Sequence, residues 1–291
     1  MATSQLNSST ARYAHGRASS SMTLLDQIAS DRRQAVAHSE ANRPVEVLRD
    51  LLAARERQRP FKEALTRPGV SIIAEFKRRS PTRGPIAPGA EVGPVVEQYE
   101  RAGAAALSII VESDHFDGSL DDLAEARRAT KLPVLYKDFV VSRYQLLEAA
   151  VSGADAVLLM VGLLDRNELA EFYVEAQELD LDCLVEVHTE DELAVAIDLD
   201  VDVVGINNRM SFGLPGATEL TDLDQTRHLL ADVPTGKTVV SESGISSRDE
   251  VAELEAIGVD AFLVGSMLML ASDKEATLRA LIADEVPSPR T

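Results

Sequence analysis

Short apolar runs alternate with amphipathic stretches from residue 71 onward. The runs are rich in aliphatic and β-branched residues and are as long as buried strands. They cover residues 71–77, 105–111, 133–139, 155–161, 182–188, 202–208, 237–243 and 260–266. Between them, stretches such as VGPVVEQYERAGA and SRDEVAELEAIGV carry apolar residues at helical spacing. The pattern therefore predicts eight strands that alternate with helices.

Eight strand–helix units predict an α/β protein with the (β/α)8 fold, the TIM barrel. An open, doubly wound sheet is the competing fold, but the chain lacks a G-x-G-x-x-G after its first strand and lacks a P-loop. Residues 23–66 read as additional N-terminal helices that close the bottom of the barrel or lean over its mouth. We expect residues 1–22, which lack the apolar region of a secretory signal, to be a disordered leader, and 23–291 to be one domain that includes the helical extension.

The first predicted strand carries two charges inside an apolar run, IIAEFKRRSP. Alternation of side chains puts Glu75 and Lys77 on one face and Ile72, Ala74 and Phe76 on the other. Other strands also carry polar residues near their carboxyl ends. In an α/β barrel those ends meet at one rim, where active sites form. The residues concerned are Lys137, Glu186, Asn207, Arg209 and Glu242.

These charges have two interpretations. An internal salt-bridge network at the barrel rim would account for any single pair, because structural ion pairs also cluster in such places. Here three carboxylates, two lysines, an arginine and an asparagine converge on one rim. Removing so many polar groups from water is costly unless a ligand or a reaction uses them. The set as a whole favours a catalytic site.

Two further segments follow the last two strands: SESGIS at 241–246 and VGSMLM at 264–269. Barrel phosphate sites are built by these two loops, with backbone amides and a short helix. Either segment alone is typical of an ordinary turn or helix cap. Their joint placement favours phosphate binding by Ser243, Gly244, Gly265 and Ser266.

The composition narrows the classes of partner. A formal net charge of −19 argues against non-specific binding to nucleic acid or acidic membranes, and no apolar stretch is as long as a membrane span. The single cysteine, Cys183, lies in an apolar run, so we expect a buried thiol, no disulfide and a reducing, cytoplasmic compartment. The five histidines lack metal-ligand spacing. We therefore expect no metal and a solvated or structural role for His188.

Together these segments resemble the indole-3-glycerol phosphate synthase family over residues 23 to about 282. The resemblance is carried by IIAEFKRRSPTRG (72–84), HFDGS (115–119), LYKDFVVSRYQ (135–145), DAVLLMV (155–161), LVEVHTEDEL (184–193), GINNR (205–209), VVSESGIS (239–246) and VGSMLM (264–269). It implies a decarboxylating ring closure in tryptophan biosynthesis. In that reaction 1-(2-carboxyphenylamino)-1-deoxyribulose 5-phosphate yields indole-3-glycerol phosphate, carbon dioxide and water, without a cofactor. We expect a monomer or a weak homo-oligomer.

The resemblance also implies roles for individual residues. Lys137 would be the general acid of the condensation, Glu186 a catalytic carboxylate, and Glu75 the group that sets their charge state. Lys77 would contact the anionic groups of the substrate and take part in dehydration; which lysine acts at which step stays open. The other implied contacts are with the substrate's carboxylate and hydroxyls (Asn207, Arg209), its aromatic ring (Phe116, Phe139), its phosphate (Ser243, Gly244, Gly265, Ser266) and the remaining wall (Ser80, Pro81, Glu242).

One segment departs from the family pattern. After GINNR the family continues with Asp-Leu, whereas this chain has Met210, Ser211 and several extra residues before residue 221. We hypothesise that the rebuilt loop serves a specialised pathway or admits substituted anthranilate-derived substrates. An equal loss of turnover with every ring substituent, at the level of an ordinary synthase, would contradict this.

Two other functions compete. A sugar-phosphate isomerase of the phosphoribosylanthranilate isomerase type would share the phosphate loops, but its acid–base pair involves a Cys or Asp on the first strand. A degenerate barrel kept as a scaffold would not need Glu75, Lys77, Lys137, Glu186 and Asn207 together. The pattern of charges favours ring closure over both.

Overall fold

The structure is a computed structural model that describes residues 23–209 and 221–283. The predicted leader, the C-terminal end from residue 284 and the rebuilt loop except Thr221 lie outside the described residues. The single domain over 23–291 accordingly stays a prediction.

In the described part, eight parallel strands close into a barrel, and each pairs with its sequence neighbours while the eighth returns to the first. The predicted (β/α)8 fold is confirmed. The strands are β1 (Ser71–Phe76), β2 (Ala106–Ile110), β3 (Val134–Lys137), β4 (Ala156–Met160), β5 (Asp182–Val187), β6 (Val203–Asn207), β7 (Thr238–Glu242) and β8 (Ala261–Val264). A two-residue hairpin, Arg79–Ser80 with Gly84–Pro85, follows β1.

Helices surround the barrel and precede it. Within the described residues they are α1 (Leu24–Asn42), α2 (Val45–Leu52), α3 (Phe61–Leu65), α4 (Val92–Ala102), α5 (Leu120–Ala129), α6 (Arg143–Ser152), α7 (Arg166–Glu178), α8 (Glu190–Asp198), α9 (Asp224–Leu230), α10 (Arg248–Ala256), α11 (Ser266–Leu270) and α12 (Lys274–Ile282). Local sequence sets their ends. Gly103 and Gly153 cap α4 and α6 with φ of +98° and +93°, a left-handed conformation that glycine adopts without a steric cost.

Each strand is packed on both of its faces. Ile72, Ala74 and Phe76 belong to the apolar layer between the strands and the helices, which also holds Val95 and Val96 of α4. The intervening Ile73 belongs to the cluster inside the barrel, with residues such as Ala106, Leu135, Leu184 and Val240. The period of two predicted for β1 is confirmed, and it leaves the side chain of Glu75 on the barrel side.

The N-terminal helices take both of the predicted positions. Helix α1 lies at the carboxyl end of the strands, where the Arg32 guanidinium forms a two-pronged contact with Asp138, directly after β3. The segment before β1 crosses the opposite end. There the backbone N–H groups of Arg59 and Lys62 donate to Asp155 and Asp182, at the start of β4 and β5. None of the described helices is long and apolar enough to cross a membrane.

Candidate active site

A cavity of about 350 Å³ opens at the carboxyl end of the barrel. Thirteen of the fifteen residues predicted for the site line it. They are Glu75, Lys77, Phe116, Lys137, Phe139, Glu186, Asn207, Arg209, Glu242, Ser243, Gly244, Gly265 and Ser266. Polar residues near the carboxyl ends of barrel strands were expected to converge, and in the structure they line one cavity.

Ser80 and Pro81 are not part of that wall as the structure describes it. Ser80 lies in the hairpin after β1, is 1% exposed, and its hydroxyl accepts the backbone N–H of Arg83. The tight turn thus brings a different residue of the same loop, Arg83, to the cavity. The loop therefore reaches the cavity through Arg83 and not through Ser80 or Pro81.

Glu75 and Lys77 form a buried ion pair on the barrel side of β1. Lys77 Nζ lies 2.6 Å from Glu75 Oε1, and both side chains are less than 9% exposed. Gly265, at the end of β8, makes room for this carboxylate, because a Cβ at that position would lie 2.3 Å from Glu75 Oε1. Gly265 was predicted as a phosphate residue. The structure shows a steric reason for glycine here.

Lys137 at the end of β3 joins two carboxylates from the far side of the barrel. Its Nζ lies 2.5 Å from Glu242 Oε2 on β7 and 3.3 Å from Glu186 Oε2 on β5. Both glutamates are almost completely buried, whereas the Lys137 side chain keeps 15% of its exposure. One ammonium group therefore pairs with two carboxylates. It lies where the cavity meets the top of the barrel interior.

The pKa values follow from this shared charge. Burial opposes the charge on Lys137, but the fields of Glu242, Glu186 and Glu75 outweigh it and raise the pKa of the lysine. For Glu242, burial dominates over the attraction of Lys137, and the repulsion of Glu186 adds to it, so its pKa rises to about 7. Burial also opposes the charge on Glu186, yet Lys137 and His188 lower its pKa below the ordinary value. The cluster thus holds a protonated lysine beside a carboxyl group that titrates near neutrality.

Asn207 and Arg209 lie at the exit of β6, next to β7. The parallel register places Asn207 beside Glu242, and the Asn207 side-chain oxygen accepts the backbone N–H of Arg209. Between them Asn208 turns away from the cavity and is fully buried. Its amide donates to Ser241 Oγ and to the carbonyls of Glu242 and Ser243. Asn208 was missed by sequence reasoning, although the doubled asparagine of GINNR was visible.

The loops after β7 and β8 supply the polar end of the cavity. Ser243 and Gly244 have φ of +67° and +84°, so consecutive residues take a left-handed conformation immediately after β7. Helix α11 begins at Ser266, directly after Gly265, and no side chain caps its first N–H groups. The structure brings all four residues predicted for phosphate to this cavity. Such loops present backbone donors to an anion.

The opposite wall is apolar. Phe116 and Phe139 face each other with ring centroids 6.0 Å apart and planes tilted by 41°. The side chains beside them on the cavity wall are Ile110, Leu158, Met160 and Leu263. A cavity with one apolar aromatic wall and one wall rich in N–H groups suits a ligand that carries a ring at one end and an anion at the other.

Glu112 is a buried cavity residue that sequence reasoning also missed. Its carboxylate accepts the backbone N–H groups of Asp114, His115 and Phe116, and so shapes the loop that presents Phe116. Burial nevertheless raises the pKa of Glu112. Its position just after β2, in the sequence VES, was the available signal, because it matches the positions of the other rim carboxylates.

The described residues contain no group of three or more His, Cys, Asp or Glu side chains arranged to hold a metal ion. Cys183 is a buried thiol, and burial raises its pKa above the ordinary value, which makes it a poor nucleophile. The lysine and glutamate side chains on the cavity wall are groups suited to acid–base chemistry. The ion pairs expected from a purely structural network are present, but they line an open cavity.

A closed α/β barrel with lysines and glutamates around a cavity at its carboxyl end defines the class: a TIM-barrel enzyme. The family model for indole-3-glycerol phosphate synthase matches residues 25–281. The chain belongs to the indole-3-glycerol phosphate synthase family.

Individual relatives agree with the family match. The chain is 41% identical to "Indole-3-glycerol phosphate synthase 2" of Streptomyces coelicolor over 81% of its own length and 89% of the relative's. It is 37% identical to the indole-3-glycerol phosphate synthase of Desulfosudis oleivorans over 89% and 98% of the two chains. Among solved structures, thiamine phosphate pyrophosphorylase of Pyrococcus furiosus superposes with a TM-score of 0.55 and 18% identity, covering 76% of this chain and 96% of that one. This last likeness supports the fold alone.

Proposed function

We propose that the chain is an indole-3-glycerol phosphate synthase. It would convert 1-(2-carboxyphenylamino)-1-deoxyribulose 5-phosphate into indole-3-glycerol phosphate, carbon dioxide and water, as a step in tryptophan biosynthesis. The observation that carries the proposal is the shared position of Lys137, held between Glu186 and Glu242 at the mouth of the barrel. Family membership supports the choice of substrate, and the geometry supports the roles proposed below.

Lys137 is the proposed general acid of the first step. As the ring carbon that bears the carboxylate attacks the substrate's carbonyl carbon, the carbonyl oxygen gains negative charge and needs a proton. Lys137 carries one at neutral pH, because three glutamates raise its pKa. Glu242, whose pKa is raised to about 7, can itself hold or release a proton beside the lysine near neutral pH.

The second and third steps remove carbon dioxide and water. Loss of the carboxylate as carbon dioxide returns the electron pair to the ring system, and no oxidant is needed. The hydroxyl formed in the first step then leaves as water after it is protonated, while a base removes a proton from the neighbouring CH2 carbon, so that the double bond of the new ring forms and the nitrogen keeps its hydrogen. We assign this acid–base work to Glu186 and to the Lys77–Glu75 pair, whose buried 2.6 Å contact fixes the ammonium group beside the cavity. The order in which the two lysines act is part of the proposal that kinetics must decide.

Substrate binding would divide along the cavity. Phe116 and Phe139 would cover the aromatic ring, Asn207 and Arg209 would contact the carboxylate and hydroxyls, and the four residues of the β7 and β8 loops would hold the phosphate. Ser80 and Pro81 would act indirectly, because the hydroxyl of Ser80 holds the turn that brings Arg83 to the wall.

The direct test is to incubate the purified chain with the carboxyphenylamino substrate and to follow indole by ultraviolet absorbance and mass spectrometry. We expect equal amounts of indole-3-glycerol phosphate and carbon dioxide. A parallel incubation with phosphoribosylanthranilate tests the isomerase, and its conversion without release of carbon dioxide, with the first substrate unchanged, would support that alternative. Tight substrate binding without any product would establish the scaffold. Substituted anthranilate-derived substrates in the same assay test the hypothesis about the loop at 210–221.

We infer further that the chain acts in the cytoplasm as a monomer or a weak homo-oligomer. The single, buried cysteine supports a reducing compartment. Sedimentation velocity over a range of concentrations tests the second part, and a stable dimer at low micromolar concentration would contradict it.

A further inference from the structure

His188 lies directly beyond β5, two residues after Glu186. The alternation of the strand turns both side chains in the same direction. The ring sits between two carboxylates: Nε2 is 3.6 Å from Glu186 Oε1, and Nδ1 is 3.5 Å from Glu192 Oε2. With 20% of its side chain exposed, His188 lies at the edge of the cluster and not among the cavity-lining residues.

Glu192 is itself held in place on α8. Its Oε2 accepts the backbone N–H of His188 at 2.6 Å, and its own N–H donates to Thr189 Oγ1, the N-cap of the helix. Gly162, after β4, leaves space for the carboxylate, since a Cβ there would lie 2.9 Å from Glu192 Oε1. Gln225 of α9 donates to the His188 carbonyl. The backbone of His188 is thus held at both its N–H and its carbonyl, and the two ring nitrogens lie at ion-pair distance from two carboxylates.

We propose that His188 is a positioning residue for the reaction, whose protonated imidazole, oriented by Glu192, keeps Glu186 ionised and directed at Lys137. The proposal rests on the catalytic role proposed for Glu186. The distances around Lys137 show why a second cation matters for Glu186. Lys137 lies closer to Glu242, at 2.5 Å, than to Glu186, at 3.3 Å, so Glu186 receives the weaker share of the one ammonium.

The local charges support this assignment. Among the described residues, the charged groups that act on His188 are Glu186 on β5, Glu192 on α8 and Glu242 on β7, while α9 presents the neutral Gln225. Burial lowers the pKa of His188, but the hydrogen bond to Glu192 and the fields of the three glutamates raise it above the ordinary value. The imidazolium in turn helps Lys137 to hold the pKa of Glu186 down against burial.

Histidine NMR tests the pairing without any turnover. In the full-length chain with labelled histidine, the His188 resonance should titrate above the ordinary histidine value. Glu186→Gln and Glu192→Gln should each lower that pKa by on the order of 1 unit, because each removes a carboxylate beside the ring. His228, which pairs with Glu190 at 2.6 Å on the exposed face, is the internal control for the spectra. The proposal is overturned if His188 titrates at or below the ordinary histidine pKa, or if Glu186→Gln leaves the pKa of His188 unchanged. Either result counts against it even if the enzyme is a synthase.

Kinetics tests the consequence. In His188→Gln the pKa of Glu186 should rise, so the acidic limb of kcat/KM against pH should move to higher pH by about 1 unit or more. Glu192→Gln should shift it in the same direction by less. His228→Gln, at the matched exposed pair, should leave the profile at that of the parent. If His188→Gln lowers kcat/KM equally at every pH with the limb unmoved, His188 is only a structural residue and the proposal fails.

Discussion

The ammonium nitrogen of Lys137 and Oε2 of Glu242 lie 2.5 Å apart across the mouth of the barrel. The pair joins the ends of β3 and β7, and Glu186 from β5 approaches the same nitrogen at 3.3 Å. Since one cation faces two buried carboxylates, the cluster favours an additional proton. Burial, which Lys137 only partly offsets, together with repulsion by Glu186, raises the pKa of Glu242 to about 7.

Glu242→Gln should remove a pH-dependent part of the stability. The carboxyl group titrates at 4.5 when unfolded and at about 7 when folded, so the folded state binds the proton more tightly. Its contribution to the free energy of unfolding is therefore fully present below 4.5 and is lost as the pH rises through about 7. The free energy of unfolding of the parent minus that of the variant should fall by roughly 3 kcal/mol at most over this window, measured by urea denaturation at successive pH values.

The control for this measurement is Glu253→Gln, at an exposed carboxylate on α10. Because that side chain is exposed, its substitution should change the free energy of unfolding by less than about 1 kcal/mol. A difference for Glu242→Gln that does not change over the window would mean that Glu242 is ionised at ordinary acidic pH and that the shared proton is absent.

Gly265→Ala should impair catalysis through Glu75. The added methyl would lie 2.3 Å from Glu75 Oε1 and 3.0 Å from its Cδ, in a buried site where the carboxylate cannot move freely. Displacing it changes the position of Lys77, so kcat should fall by roughly 100-fold, the effect of a misplacement of about 1 Å.

Gly93→Ala provides a matched control. The new methyl there would meet only the tip of the exposed Glu125 side chain, which can rotate away. Turnover should remain within about twofold of the parent, by the same geometric reasoning. Equal kinetics for both variants would show that the space beside Glu75 is not limiting.

Arg32→Ala should destabilise the chain strongly. The guanidinium forms a two-pronged, buried contact with Asp138, which also accepts hydrogen bonds from Tyr136 and Gln145. Removing one partner leaves an uncompensated buried charge, so the free energy of unfolding should fall by about 3 kcal/mol or more. Arg166→Ala, at the exposed Arg166–Asp198 pair, should cost less than about 1 kcal/mol. Similar losses for the two variants in urea denaturation would contradict a special role for the α1 contact.

Much of the barrel could be predicted because its patterns are local. Alternation along β1 placed Glu75 and Lys77 on the barrel side, and the structure agrees. The eight strands were predicted to within a few residues at their ends, because apolar runs and turn residues mark both boundaries. The four loop residues after β7 and β8 were assigned to the cavity from their position alone, since the fold fixes where those loops meet.

The rest depended on contacts between distant segments. Arg32 and Asp138 are 106 residues apart, and an arginine on a polar helix gives no sign of its partner. Ser80 lies in a hairpin, where its hydroxyl accepts a hydrogen bond from the backbone N–H of Arg83. This contact depends on the geometry of a tight turn, which the periodicity of the sequence does not reveal. Glu112 follows its strand as the other rim carboxylates do, but its hydrogen bonds to three backbone N–H groups become visible only in the folded loop.

The most direct test of the central claim is the turnover of Lys137→Ala with the carboxyphenylamino substrate, compared with Lys131→Ala, an exposed lysine just before β3. Both variants should bind substrate about as well as the parent in equilibrium titrations. Lys131→Ala should keep the parental kcat. Lys137→Ala should lower kcat by roughly 10²- to 10⁴-fold, the usual contribution of a general acid. Near-parental indole formation by Lys137→Ala would contradict the role assigned to Lys137.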